Sequence, residues 1–258
     1  MYTIAIAGKG GTGKTTIAGM IVRCLCEQGK GSLLAVDADP NSNLGDVLGL
    51  DPKENIGAII DEISRNIDKI PAGMTKDRYI EYRLQSALEE GRGVDLLVMG
   101  RPEGPGCYCY ANNVLRGIIG RVCEDYEFVV MDNEAGLEHL SRRTMRRADC
   151  LFIVSDPTPV GITAAKRIYD IVRELNLEIK KTAFIINRFL REDGGAGLDK
   201  QGLAERLPGG EIKFVPFDKQ VLDLSLSGRA IGELDKENPT LKAVEEIIMT
   251  GCSLKPEA

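Results

Sequence analysis

No stretch of this 258-residue chain approaches the roughly 18 consecutive apolar residues that a bilayer-spanning helix requires. A basic cluster is equally absent: 33 lysines and arginines stand against 39 aspartates and glutamates, for a net charge of −6. Nucleic acid and anionic membranes are therefore poor partners for it. The tail from Cys252 is polar and carries a proline, unlike an amphipathic anchor. No signal peptide is expected, because strand-like sequence begins at Thr3. The seven cysteines are odd in number and lack the spacing of a disulfide framework, so reduced thiols and a cytoplasmic location are expected.

What the chain does have is a succession of apolar, β-branched runs with helical stretches between them. They fall at residues 3–7, 32–36, 94–99, 128–131, 150–154, 183–186 and 212–215. Near-continuous apolar strands alternating with helices predict a three-layer α/β fold, with a mostly parallel central sheet and helices on both faces. The length suits one domain over 1–258, with a helical insertion at about 51–90 that reads as two or three polar-faced helices. Residues 191–198 read as a flexible, glycine-rich loop. Ligands of such sheets gather at the carboxyl ends of strands. Gly8, Asp37, Gly100, Asp132, Asp156 and Asn187 stand there.

The first of these positions carries the strongest motif. Gly8-Lys9-Gly10-Gly11-Thr12-Gly13-Lys14-Thr15-Thr16 is G-x-x-x-x-G-K-T between a strand and a helix, the context a phosphate-binding loop needs. Its glycines let backbone N–H groups turn toward phosphate oxygens. Lys14 can reach the β- and γ-phosphates and Thr15 can hold Mg²⁺, beside the positive end of a helix. Asp37 and Asp39, after the second strand, suit Mg²⁺-bound water and an attacking water. Asp132, ending an apolar strand and followed by Gly136, has the form of a Walker B acid and a γ-phosphate-sensing glycine.

Taken together, Gly8–Thr16, Asp37-Ala38-Asp39-Pro40 and Asp132 with Gly136 resemble the deviant Walker A ATPases. That class includes MinD, ParA, the nitrogenase iron protein and metal-enzyme maturation ATPases. The resemblance implies a nucleotide-dependent homodimer that hydrolyses ATP to ADP. In it Lys9 crosses to the partner's nucleotide, Lys14 and Thr15 hold phosphate and Mg²⁺, and Asp39 positions water. Gly10, Gly11, Thr12, Gly13 and Thr16 would complete the phosphate contacts. Asn187 matches the family's adenine-reading asparagine, with Arg188 beside it. Pro216-Phe217-Asp218 looks like the loop that closes over the base.

A second motif lies after the third strand, at Cys107-Tyr108-Cys109 behind Gly104-Pro105-Gly106. Thiols two residues apart point the same way only on extended backbone, and the Gly-Pro-Gly run disfavours helix. Two thiolates are too few for a closed tetrahedral site, but a two-fold axis would supply a second pair. Four sulfurs suit Zn²⁺ or an iron–sulfur centre if tetrahedral, and Ni²⁺ if square-planar. Cys24 and Cys26 have the same spacing on a helix, where they diverge by about 200° and read as packing residues. Cys123 and Cys150 also read as packing residues.

Residues 101–113 and 133–143 resemble the nickel-loading ATPases that mature carbon monoxide dehydrogenase and acetyl-CoA synthase, the CooC and AcsF type. This implies one Ni²⁺ or Zn²⁺ per dimer on Cys107 and Cys109, delivered to one of those enzymes at the expense of ATP. The lone histidine, His139, stands where the nitrogenase iron protein has a cluster cysteine. It is a relay ligand or a packing residue. Two rivals remain: a MinD- or ParA-like positioning ATPase, and an iron–sulfur carrier or electron-transfer ATPase.

Overall fold

A computed structural model describes residues 1–29, 31–39, 41–66, 70–100, 120–134, 147–190, 200–207 and 209–251. The expected three-layer α/β architecture is present. Its elements run β1 (Tyr2–Gly8), α1 (Lys14–Gln28), β2 (Leu33–Asp37), α2 (Leu44–Leu48), α3 (Ile56–Arg65), α4 (Lys76–Ser86), β3 (Glu89–Glu90), β4 (Asp95–Val98) and β5 (Phe128–Asp132). There follow β6 (Arg147–Ser155), α5 (Pro159–Glu174), β7 (Glu178–Phe189), α6 (Lys200–Arg206), β8 (Glu211–Pro216), α7 (Lys219–Ser227), a 3₁₀ turn (Ile231–Glu233) and α8 (Pro239–Gly251).

The eight strands lie in the order β3-β4-β2-β5-β1-β6-β7-β8. Every pairing is parallel except β3 with β4. β1 owes its inner place to apolar side chains on both faces. Ile4 and Ile6 pack in one core layer with α1 and α8, while Ala5 and Ala7 pack in the other with α3, α4 and α5. Among its described residues the insertion contains two helices, α3 and α4. Isoleucines at 56, 59, 60 and 63 give α3 a buried stripe at helical spacing. Asn55 caps α3 by accepting from Ala58 N at 2.9 Å, and Thr75 caps α4 by accepting from Arg78 N at 3.3 Å. The two-residue β3, absent from the sequence reading, closes the edge of the sheet against β4.

The sheet leaves no room where β1 enters the phosphate loop. A Cβ on Gly8 would lie 2.3 Å from the carbonyl oxygen of Val154 on the adjoining β6. Gly8→Ala is therefore expected to destabilise the protein by about 3 kcal/mol, read from urea unfolding. Four cysteines behave as packing residues or nearly so: Cys24, Cys123 and Cys150 are buried, and half-buried Cys26 donates to Gly93 O at 3.3 Å. No helix among the described residues is long and apolar enough to cross a membrane.

Candidate nucleotide site

The loop from Lys9 to Gly13 turns on left-handed glycines, with φ of 80° at Gly11 and 89° at Gly13. Its carbonyls are held by the loop itself and by residues outside it. Lys9 O accepts from Thr12 Oγ1 at 2.9 Å, from Thr12 N at 3.4 Å and from Lys14 Nζ at 3.4 Å. Gly11 O accepts from Arg188 Nη1 at 3.2 Å, and Thr12 O from Asn187 Nδ2 at 2.8 Å. The N–H groups of Gly11, Gly13, Lys14 and Thr15 donate to no described residue. They form an anion-binding nest at the start of α1. Lys14 is buried within it, whereas Lys9 is exposed and its side chain makes no hydrogen bond or ion pair with any described residue.

Two carboxylates close the other side. Asp37 and Asp132 are register neighbours across β2 and β5, at 0% and 1% exposure. Both Asp37 oxygens are engaged, Oδ2 by Leu44 N at 2.8 Å and Oδ1 by Asp39 N at 3.1 Å. Asp132 accepts from the Thr15 hydroxyl, but its Oδ1 has no partner. Burial pushes Asp37 up to about 6, against the pull of its two backbone N–H donors. Burial pushes Asp132 up to about 7, with the Thr15 hydrogen bond opposing and the Asp37 charge adding.

Such a pair fits a divalent cation. An orphaned buried oxygen and two reluctant anions would be satisfied by a hard cation, with Thr15, Asp132 and Asp37 reaching it directly or through water. Among the described residues no group of three or more histidine, cysteine or acidic side chains forms a cage. That is ordinary for Mg²⁺, which takes most of its ligands from water and phosphate.

Asp39 lies at the rim, half-buried, its Oδ1 accepting from Asn41 N at 2.9 Å and Asn41 Nδ2 at 3.0 Å. On the far side of α1 a pocket opens, floored by Gly13, Thr16, Ile17 and Met20 and walled by Asn187, Arg188 and residues 216–218. Val221, Leu222 and Thr240 also line it, and nothing in the sequence reading had marked them. Phe217 stands half exposed at its mouth, while Asp218 caps α7 by accepting from Val221 N at 3.1 Å. Asn133 belongs to the segment 133–143 singled out in the sequence, but with no role of its own there. Its N and Nδ2 both donate to Ile6 O, at 3.1 and 2.9 Å, tying the end of β5 to β1 beside the loop. An asparagine after a strand reads only as a turn signal, so local sequence could not mark it.

The structure thus brings Lys9 through Thr16, Asp37, Asp39, Asp132, Asn187, Arg188, Pro216, Phe217 and Asp218 to the carboxyl ends of the strands. Cys107, Cys109, Gly136, His139, Cys252 and the loop at 191–198 lie outside the described residues. Gly100, the last described residue before the cysteine segment, is at that same end of the sheet: its neighbour Met99 donates to Asp37 O at 2.8 Å.

Comparison with known proteins agrees with this geometry. The AAA domain profile matches residues 1–185. An uncharacterized ATP-binding protein of Methanocaldococcus jannaschii is 41% identical over 246 residues, 95% of this chain and 96% of that protein. The carbon monoxide dehydrogenase accessory protein CooC of Rhodospirillum rubrum is 29% identical over 262 residues, 94% of this chain and 96% of that one. Among solved structures, the MinD cell division protein of Aquifex aeolicus superposes with a TM-score of 0.71 at 22% identity, covering 100% of this chain and 98% of that one. That last likeness is one of fold. The chain belongs to the AAA-domain family of phosphate-loop ATPases.

Proposed function

We propose that this single-domain chain is a slow, ATP-driven metallochaperone of the cytoplasm that works as a homodimer. Two copies would bind one Ni²⁺ or Zn²⁺ between paired Cys107 and Cys109 thiolates and load nickel into carbon monoxide dehydrogenase or acetyl-CoA synthase. One observation carries the reading. The similarity to CooC spans nearly the whole of both chains, and this chain bears Cys107-Tyr108-Cys109.

On this reading the phosphate loop and Lys14 hold the ATP phosphates, and Thr15, Asp37 and Asp132 hold Mg²⁺. Asp39 orients water, Lys9 of the neighbour stabilises the transferring phosphoryl group, and Pro216, Phe217 and Asp218 flank the base. Met99, two residues before the segment that carries the cysteines begins in sequence, has its N–H bonded to the backbone of Asp37. A nucleotide-dependent shift at Asp37 would therefore reach the root of that segment and change the spacing of the sulfurs.

The test is Cys107→Ala combined with Cys109→Ala, titrated anaerobically with Ni²⁺ and Zn²⁺. The expected result is loss of stoichiometric metal with ATP affinity kept within about twofold, since no nucleotide contact is touched. Unchanged metal uptake by the double variant would remove the site.

A further inference from the structure

β7 and β8 pair in parallel, but their register shifts between Ile186 and Phe189. Arg188, inside the irregularity, is a non-glycine residue with φ of 58°. In a regular strand, neighbouring side chains point to opposite faces. Here the irregularity lets Asn187 and Arg188 reach the same loop and take the carbonyls of Thr12 and Gly11. The orientation of the asparagine is fixed, because its Oδ1 accepts from Arg188 N at 2.9 Å. A flipped amide would set donor against donor and oxygen against oxygen.

The glycine before Lys14 belongs to the same arrangement. A Cβ on Gly13 would lie 2.5 Å from Asn187 Nδ2, so that glycine makes room for the amide as well as for phosphate. With the carbonyls of Gly11 and Thr12 held on the outside, the loop N–H groups are left facing inward before any anion arrives. An anion then binds without first ordering the loop.

We infer that Asn187 and Arg188 are positioning residues that hold the phosphate loop in its anion-binding shape, a role separate from any contact with the nucleotide base. The inference rests on the phosphate-loop ATPase assignment and is independent of the metal reading. The two roles part on a ligand that has no base. Binding of ATP, GTP and inorganic tripolyphosphate is measured for the parent, for Arg188→Ala and for Asn187→Ser, which changes no charge.

The expected result is that both variants weaken tripolyphosphate about five- to tenfold, and ATP at least as much. Arg188→Lys, which keeps a donor of the same charge, should recover part of the loss. Weakened ATP with parental tripolyphosphate binding would overturn the inference in favour of base reading. So would parental binding of all three ligands. Arg188 is exposed, so its replacement tests the idea even if Asn187→Ser compromises folding.

Discussion

Asp132→Asn is expected to lower Mg²⁺-dependent ATP hydrolysis at least about a hundredfold while making the metal-free protein more stable. The two effects share one cause. Asp132 is almost wholly buried beside Asp37, and burial holds its carboxyl at about 7 against an ordinary 3.8. Folding at pH 8 therefore forces an anion into a place that resists it. The folded chain binds this proton more tightly than the unfolded chain does. Without metal, this group's contribution to stability accordingly rises as pH falls through 7 and levels off near 4, where the unfolded carboxyl also protonates.

The neutral amide removes that cost at pH 8, a gain on the order of 4 kcal/mol. Such a gain is equivalent to a melting point higher by about 5 °C or more for a domain of this size. Mg²⁺ with nucleotide should reverse the ranking, because the cation satisfies the parental carboxylate and has little hold on an amide. Scanning calorimetry at pH 8, with and without Mg²⁺ and ATP, reads both halves. A variant that melts with the parent under both conditions would contradict the assigned role.

Lys9→Ala is expected to leave ATP binding within about threefold and to reduce hydrolysis about a thousandfold. On the proposed reading, an ammonium supplied by the partner would do the work of an arginine finger, for which losses of that order are usual. The structure is suited to this division. The Lys9 carbonyl is fixed by Thr12 and Lys14, while its side chain stands exposed with no described partner. Loss of the side chain should therefore leave the shape of the loop intact.

A mixing experiment makes the claim specific. Lys9→Ala and Asp132→Asn chains are each inactive alone. In a mixed dimer, the site with an intact Asp132 receives Lys9 from its neighbour. Random pairing should restore about a quarter of parental activity. No recovery on mixing would show that Lys9 acts within its own chain or not at all.

The sheet was legible because its strands are buried on both faces. Alternation is then suppressed, and the apolar runs at 3–7 and 128–131 are unmistakable. The phosphate loop was legible for a different reason: glycine spacing and a lysine encode backbone geometry locally. The two-residue β3 escaped notice because it contains only Glu89 and Glu90, and pairing with Leu96 and Asp95 defines it. The roles of Asn133 and Arg188 were hidden too. Their partners, Ile6 O and Gly11 O, are backbone atoms more than a hundred residues away. Side-chain bonds to distant carbonyls leave no periodic trace in a sequence.

The central claim is that one event brings two phosphate loops and four sulfurs together. The direct measurement is the mass in solution of anaerobic, metal-free protein titrated with Ni²⁺ or Zn²⁺, with and without ATP. The account predicts a dimer holding one metal ion per two chains, formed more readily with ATP and lost in the Cys107→Ala, Cys109→Ala variant. A chain that stays monomeric with ATP and metal, or takes up metal equally well without those cysteines, would contradict it.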